Sequence, residues 1–349
     1  MTADLIADLL DGQHRALARV ITKIENREPG YRDLVSQLHE HTGDADVIGI
    51  TGSPGAGKST LVDKMAATYR DQGLTVGVIA IDPSSPFTGG AVLGDRIRMA
   101  SNVGDMDVFF RSMSARGSLG GLSTATTDAV KALDAFGKDK IIIETVGAGQ
   151  NEIDIVKMAD TVAVLVPPGS GDDVQMLKAG ILEIADLFVV NKADLEGADR
   201  TVQELKEMIE YRDGNVPGTV GHHGASASGG GFERADADGG ETGTSWTPPI
   251  VEAVAKDSEG VDDVLAALAD HRAHLVESGE LDRKERMRYA EEIRTLLRED
   301  MSVLLEREID RLGGLDDYVE GVRERDTDPY NVSDEILQPI VDCLDQRDE

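Results

Sequence analysis

Five short apolar runs between residues 46 and 195 constrain the fold of this chain more than anything else in it: DVIGITG, TVGVIAID, KIIIET, TVAVLVP and LFVVNKAD. Each is rich in β-branched residues and has glycine, proline or an acid in its last two positions. Strands with one solvated face alternate apolar and polar residues, whereas runs that are apolar throughout belong to strands covered on both faces. Helical patterns separate the runs, so the arrangement reads as α/β, a mostly parallel sheet between helical layers. In such sheets the ligand-binding loops lie at the carboxyl ends of the strands. PPIVEAVA, from residue 248, resumes the sheet after an interruption.

Helical spacing takes over on both sides of this region. In residues 2–42 the positions Leu5, Leu9, Leu10, Ala16, Val20, Ile21 and Ile24 recur at helical intervals, as in a single helix that EPGY breaks. YRDLVSQLHEH reads as a second helix. Beyond residue 281 Tyr289, Ile293, Leu297, Met301, Leu304 and Ile309 form one stripe along a long charged helix, stopped by Gly313 and Gly314. Ser333 is placed to cap a last helix, DEILQPIVDCL, which Pro339 kinks. The stripe needs a second surface, either the core of the same chain or a second copy, and dimerisation is expected. The chain therefore divides into an N-terminal helical extension (1–44), a nucleotide-binding domain (45–275) and a C-terminal helical dimerisation arm (276–349).

Residues 213–247 are mostly Gly, Ser, Asp and Thr, with almost nothing to bury, and read as a flexible insertion. His222 and His223 lie within it, and two adjacent histidines in such a segment read as solvated rather than metal-bound. The whole chain is strongly acidic, with 66 Asp and Glu against 35 Lys and Arg and a net charge of −31. That balance repels nucleic acid and fits a protein adapted to molar salt, where screening removes most self-repulsion. One cysteine, Cys343, excludes a disulfide framework and fits a reducing compartment. No run approaches the ~18 apolar residues of a membrane span, so a cytoplasmic protein with no membrane partner is expected.

The strongest motif is GITGSPGAGKST, which runs from a strand into a helix. It contains Gly52-x-x-x-x-Gly57-Lys58-Ser59, the complete phosphate-loop pattern. Gly52, Ser53, Pro54, Gly55, Ala56 and Gly57 let backbone N–H groups turn inward around phosphates, and the helix beginning at Lys58, Ser59 and Thr60 adds its positive end. Lys58 supplies a point charge to the β- and γ-phosphates, and the Ser59 hydroxyl is a ligand for Mg²⁺.

LFVVNKADL sets Asn191, Lys192 and Asp194 at another strand end. A carboxylate there accepts from both the ring N–H and the exocyclic amine of guanine, and against adenine it would be left unpaired. The pattern points to GTP and GDP over adenine nucleotides. VAKDSEGV, around Ala255, is a weaker third element whose backbone can cover the guanine carbonyl.

KIIIETVGAGQ ends a strand in Glu144, with Gly147 three residues on, where a nucleotide's last phosphate is sensed. Asp82 ends the second strand within reach of the metal or its waters, and Asp95 lies on a Gly-rich stretch able to close over the γ-phosphate; either can instead cap a loop or helix. No glutamine follows Gly147 directly, and Gln150 is the nearest group that could orient water.

Together with these segments, DPSSPFTGGAVLGDRIRM, GSGDDVQMLKAGILEIADLFVVNKAD and DPYNVSDEIL resemble the MeaB/ArgK family of GTPases, which attend cobalamin-dependent acyl-CoA mutases, methylmalonyl-CoA mutase above all. The resemblance covers the chain outside 213–247, and the acidic composition fits a haloarchaeal member. It implies a P-loop G domain of the dimeric SIMIBI class and GTP hydrolysis coupled to loading, gating or repairing the mutase's cobalamin site. It further implies that Glu144 orders Mg²⁺ through water and that the Gly147 N–H reports the γ-phosphate. PPGSGDDVQMLKAG matches a mobile family segment that answers the partner, which makes Asp172, Asp173, Gln175 and Lys178 contact candidates. Three other readings remain open: a nickel-insertion GTPase, an amino-acid-transport ATPase or kinase, and a non-catalytic scaffold that uses GTP as structure.

Overall fold

A computed structural model describes residues 2–82, 105–114, 124–145, 155–169, 182–212 and 246–345. Its chain divides into two compact units, residues 1–286 and 287–349.

The first unit is built on a seven-stranded, wholly parallel sheet. The strands are β1 (Asp46–Gly52), β2 (Val76–Asp82), β3 (Val108–Ser114), β4 (Lys140–Thr145), β5 (Thr161–Val166), β6 (Leu187–Asn191) and β7 (Ile250–Ala253), in the order β3-β2-β4-β1-β5-β6-β7. β1, β5 and β6 are buried along their whole length, as strands covered on both faces must be. Within β4, Ile141 and Ile143 join the apolar layer on one face while Ile142 joins the other. That period of two is the pleat itself.

One layer is formed by α1 (Thr2–Leu10), α2 (His14–Glu25), α3 (Tyr31–Leu38) and α5 (Thr124–Ala135), whose Leu9, Leu17, Ile21, Ile24 and Leu133 share a core with Ile79 and Ile141. The N-terminal helices thus belong to the body of the first unit, and the salt bridge Arg111–Glu25 (2.6 Å) ties α2 to β3. The opposite layer holds α4 (Lys58–Asp71) and α7 (Val261–Glu277), whose Leu61, Met65, Val264 and Leu268 pack with Ile48, Ile142 and Val189. α6 (Ala198–Arg212) lies between β6 and β7 in the chain.

Three features depart from the sequence reading. The first predicted helix is two: Gly12 takes φ 78°, a left-handed conformation that ends α1, and Leu10 falls off the stripe at 40% exposure. β3 was not anticipated, because VFFRSMS is an edge strand interrupted by Arg111 and lacks the continuous apolar run of its neighbours. The third departure lies in the second unit, which holds most of α8 (Glu280–Arg311), together with α9 (Asp316–Glu324) and α10 (Pro329–Asp345). α10 starts earlier than expected, at Pro329, with Ser333 inside it. Its cap is Asp328, whose Oδ1 accepts from the N–H groups of Tyr330 (2.9 Å) and Asn331 (3.2 Å). Gly313 and Gly314, at φ 99° and 91°, end α8 as read.

Candidate nucleotide site

The parallel register sets the carboxyl ends of β1, β4, β5 and β6 side by side, with Ile50 of β1 opposite Glu144 of β4 and Gly52 opposite Leu165 of β5. Gly52 has φ 135°, and a Cβ there would lie 2.1 Å from the Leu165 carbonyl oxygen, so no other residue lets β1 turn into the loop. The loop runs through Ser53, Pro54, Gly55 and Ala56 to Gly57, which carries no side-chain cap. α4 therefore begins with its first N–H groups directed into the loop, a ready anion site.

Lys58 is buried, and its Nζ donates to the carbonyl oxygens of Gly52 (2.6 Å) and Ser53 (2.9 Å). The Ser53 hydroxyl is buried with no hydrogen-bond partner among the described residues. A buried hydroxyl in that state costs free energy, and a phosphate oxygen in the loop would relieve it. Thr60 lies in the first turn of α4. One residue earlier, Ser59 donates from Oγ to Glu144 Oε1 at 2.5 Å, joining α4 to the end of β4. A hydroxyl and a buried carboxylate so close form an all-oxygen donor set of the kind a hard divalent cation takes. Beneath them Thr145 Oγ1 donates to Thr51 Oγ1 (2.9 Å), a buried pair that fixes β4 against β1 where both strands end. Sequence reasoning missed this pair, since one threonine at the end of each of two strands is no local signal.

The base-reading elements converge on the same loop. Asn191 is buried and bonds in two directions: Nδ2 donates to the Ala56 carbonyl (2.7 Å) and Oδ1 accepts from the Ala255 N–H (3.1 Å). Gly57, at φ 93°, has to be glycine for the same reason, because a Cβ would meet Asn191 Nδ2 at 2.3 Å. Lys192 sits at φ 63° and donates to the Gly55 carbonyl at 2.8 Å. Asp194 is paired with Lys256 at 2.7 Å. The hydrogen bond from Lys256, then its charge and that of Lys192, holds the Asp194 carboxyl below the usual carboxylate range, and Asp194 in turn raises the Lys256 ammonium. Lys256 carries no motif of its own and was not singled out from sequence.

Asp82 is the last residue of β2, one beyond Ile81, which pairs with Thr145. Asp95, Gly147, Gln150, Asp172, Asp173, Gln175 and Lys178 lie outside the described residues. Among the described residues no group of three or more His, Cys, Asp or Glu is placed to hold a metal ion.

A parallel sheet carrying a phosphate loop, with Asn-Lys-x-Asp clamped onto that loop, defines a P-loop GTPase. The chain belongs to the family described as Methylmalonyl Co-A mutase-associated GTPase MeaB, which matches residues 17–309. A Pyrococcus abyssi protein is 46% identical over 341 residues, 98% of this chain and 97% of that one. GTPase ArgK of Escherichia coli is 33% identical over 86% of this chain and 84% of its own. The mouse mitochondrial methylmalonic aciduria type A homolog is 30% identical over 85% of this chain and 69% of its own. A crystal structure titled LAO/AO transport system kinase shares the fold, with a TM-score of 0.63 at 22% identity over 97% of each chain. No helix among the described residues is long and apolar enough to cross a membrane.

Proposed function

We propose that this GTPase serves a cobalamin-dependent acyl-CoA mutase, methylmalonyl-CoA mutase first, by coupling GTP turnover to loading, gating or repair of the mutase's cobalamin site. The observation that carries the proposal is the match over residues 17–309 to a family described by its association with that mutase.

In this reading the N–H groups of residues 52–57 and the start of α4 bind the phosphates. Lys58 leaves its two carbonyl acceptors to meet the β- and γ-phosphates. Ser59, Asp82, Asp95 and Glu144 serve Mg²⁺, directly or through its waters, and Mg²⁺ when bound supplies charge neutralisation between the phosphates. The Gly147 N–H senses the γ-phosphate. Asn191 holds the base-binding elements onto the loop, Lys192 flanks the base, the Ala255 backbone covers the guanine carbonyl and Asp194 reads its N–H groups. Residues 276–349 form a homodimerisation arm; Ile293, Leu297, Met301 and Leu304 of α8 are 50–59% exposed, an apolar stripe that a second copy would cover.

The test is GTP turnover in molar KCl with and without the mutase from the same source, with ATP and Lys58→Ala as controls. Slow hydrolysis that the mutase accelerates is the expected result. Turnover indifferent to every acyl-CoA mutase offered would remove the partner while leaving the GTPase in place.

A further inference from the structure

We propose that Lys256 is a positioning residue for base recognition, its ammonium fixing the Asp194 carboxylate in the orientation in which both oxygens accept from the guanine edge. The inference rests on the assignment of Asp194 as the base-reading group.

Exposed ion pairs are usually weak because ordering two long side chains offsets the attraction. This pair starts from a different position. The backbone beneath Lys256 is already fixed: Ala255 N–H is held by Asn191 Oδ1, and Val254 N–H donates to the Glu259 carbonyl at 2.9 Å. Asp257 N–H donates to the Val254 carbonyl (2.9 Å) and Ser258 N–H to the Ala255 carbonyl (3.2 Å), closing a tight turn. Gly260 secures the exit of that turn, since a Cβ there would lie 2.3 Å from the Glu252 carbonyl oxygen. The ammonium is thus delivered to Asp194 Oδ2 from a rigid base, 62 residues away in sequence. Among the described residues Asp257, 3.7 Å from Nζ, is the other acid facing it, and Lys192 is the second cation acting on Asp194.

Engaging Oδ2 does not block the base. Each carboxylate oxygen has two acceptor sites, so Lys256 occupies one and leaves the others to guanine. What the contact removes is rotation of the carboxylate. Guanine presents two donors, the ring N–H and the 2-amino group, and only simultaneous acceptance of both needs the two oxygens held in one plane. Hypoxanthine keeps the ring N–H and lacks the amine, so its binding depends far less on that orientation. Loss of the Lys256 charge should therefore weaken guanine binding more than hypoxanthine binding.

The experiment measures GDP, IDP and XDP affinities by calorimetry on the full chain and on Lys256→Met, Lys256→Arg and Asp194→Asn. Thermal unfolding without nucleotide serves as the folding control. Lys256→Met keeps most of the stem and removes the charge; it should weaken GDP about two- to five-fold, the scale of an ordered exposed ion pair, and narrow the GDP-to-IDP preference. Lys256→Arg should restore both. The proposal is overturned if Lys256→Met leaves the GDP-to-IDP preference unchanged, whether both affinities hold or fall together, or if Lys256→Arg does no better. Asp194→Asn separates the two levels of failure. If it leaves the preference for GDP over XDP intact, the base-reading assignment itself is wrong; if it moves that preference while Lys256→Met moves nothing, only the role of Lys256 is lost.

Discussion

The two ends of the sheet both gather buried polar side chains, and they use them in opposite ways. At the amino ends of β5 and β6, Asp160 Oδ2 accepts from the Val47 N–H (3.1 Å) and from Arg272 (2.8 Å), while Lys284 donates to the Asp160 carbonyl (2.8 Å). Asp186 Oδ2 accepts from the Val162 N–H (2.9 Å), and Trp246 Nε1 donates to the Asp186 carbonyl (2.8 Å). His271 bonds Thr161 Oγ1 through Nδ1 at 2.8 Å and stacks at a tilt on Trp246, 4.8 Å between ring centres. There the side chains satisfy backbone groups at strand starts and brace α7 and the first turns of α8. At the carboxyl ends the loop leaves the Ser53 hydroxyl without a partner among the described residues, aims Lys58 at backbone carbonyls and demands glycine at 52 and 57. Polar burial alone does not mark a functional site. What sets the carboxyl end apart is the glycine-framed loop, on which a buried ammonium and the uncapped start of α4 converge where an anion would sit.

Substitutions should break this contrast in a set order. Lys58→Ala should lower GTP turnover by about 10²–10³-fold, the scale of losing one preorganised charge-stabilising donor. Its thermal unfolding should stay near wild type, and a collapse of stability instead would make Lys58 a structural lysine. At the amino end Asp160→Ala should show the reverse pattern, costing about 2–4 kcal/mol of stability because Arg272 and the Val47 N–H lose their acceptor. GDP affinity in the folded fraction should not change; a large loss would mean that the two ends are coupled. Gly57→Ala should force Asn191 off the Ala56 carbonyl and weaken GDP roughly 10-fold or more, as expected for a buried hydrogen bond left unmade. Calorimetry checks that value.

The smallest effect is a pH dependence. Burial lowers the His271 pKa, outweighing the opposing pull of Asp186, with Lys284 and His274 adding to the depression and Glu280 working against it. The unfolded chain then binds the proton more readily than the folded one. Stability from the neutral ring is complete above about pH 6.5 and falls as pH drops through the folded value. Melting temperature measured downward from pH 7.5 should decline below that point, and His271→Gln should flatten the decline. An unchanged slope in the variant would place the titrating group elsewhere.

Much of the architecture was legible locally. Uniformly apolar runs such as KIIIET announced a buried parallel sheet, since only strands covered on both faces tolerate them. The phosphate loop and Asn-Lys-x-Asp are contiguous strings whose chemistry resides in the residue types themselves. β3 escaped because an edge strand needs no continuous apolar run, and the split between α1 and α2 escaped because Gly12 leaves the helical spacing on either side intact. The Asp328 cap escaped for a related reason: Asp-Pro and Ser-Asp both resemble helix starts, and only the structure shows which N–H groups are bonded.

By itself the sequence determined a parallel α/β sheet, a phosphate loop and a guanine-type motif at strand ends, because apolar runs and short contiguous strings carry each of them. The tertiary structure alone decided which distant groups meet. Ser59 reaches Glu144 across 85 residues and Lys256 reaches Asp194 across 62, through strand registers and turn closures that no local pattern specifies. The physical reason is that hydrophobic periodicity selects elements, whereas contacts of a few ångströms between their ends depend on how a whole sheet is registered.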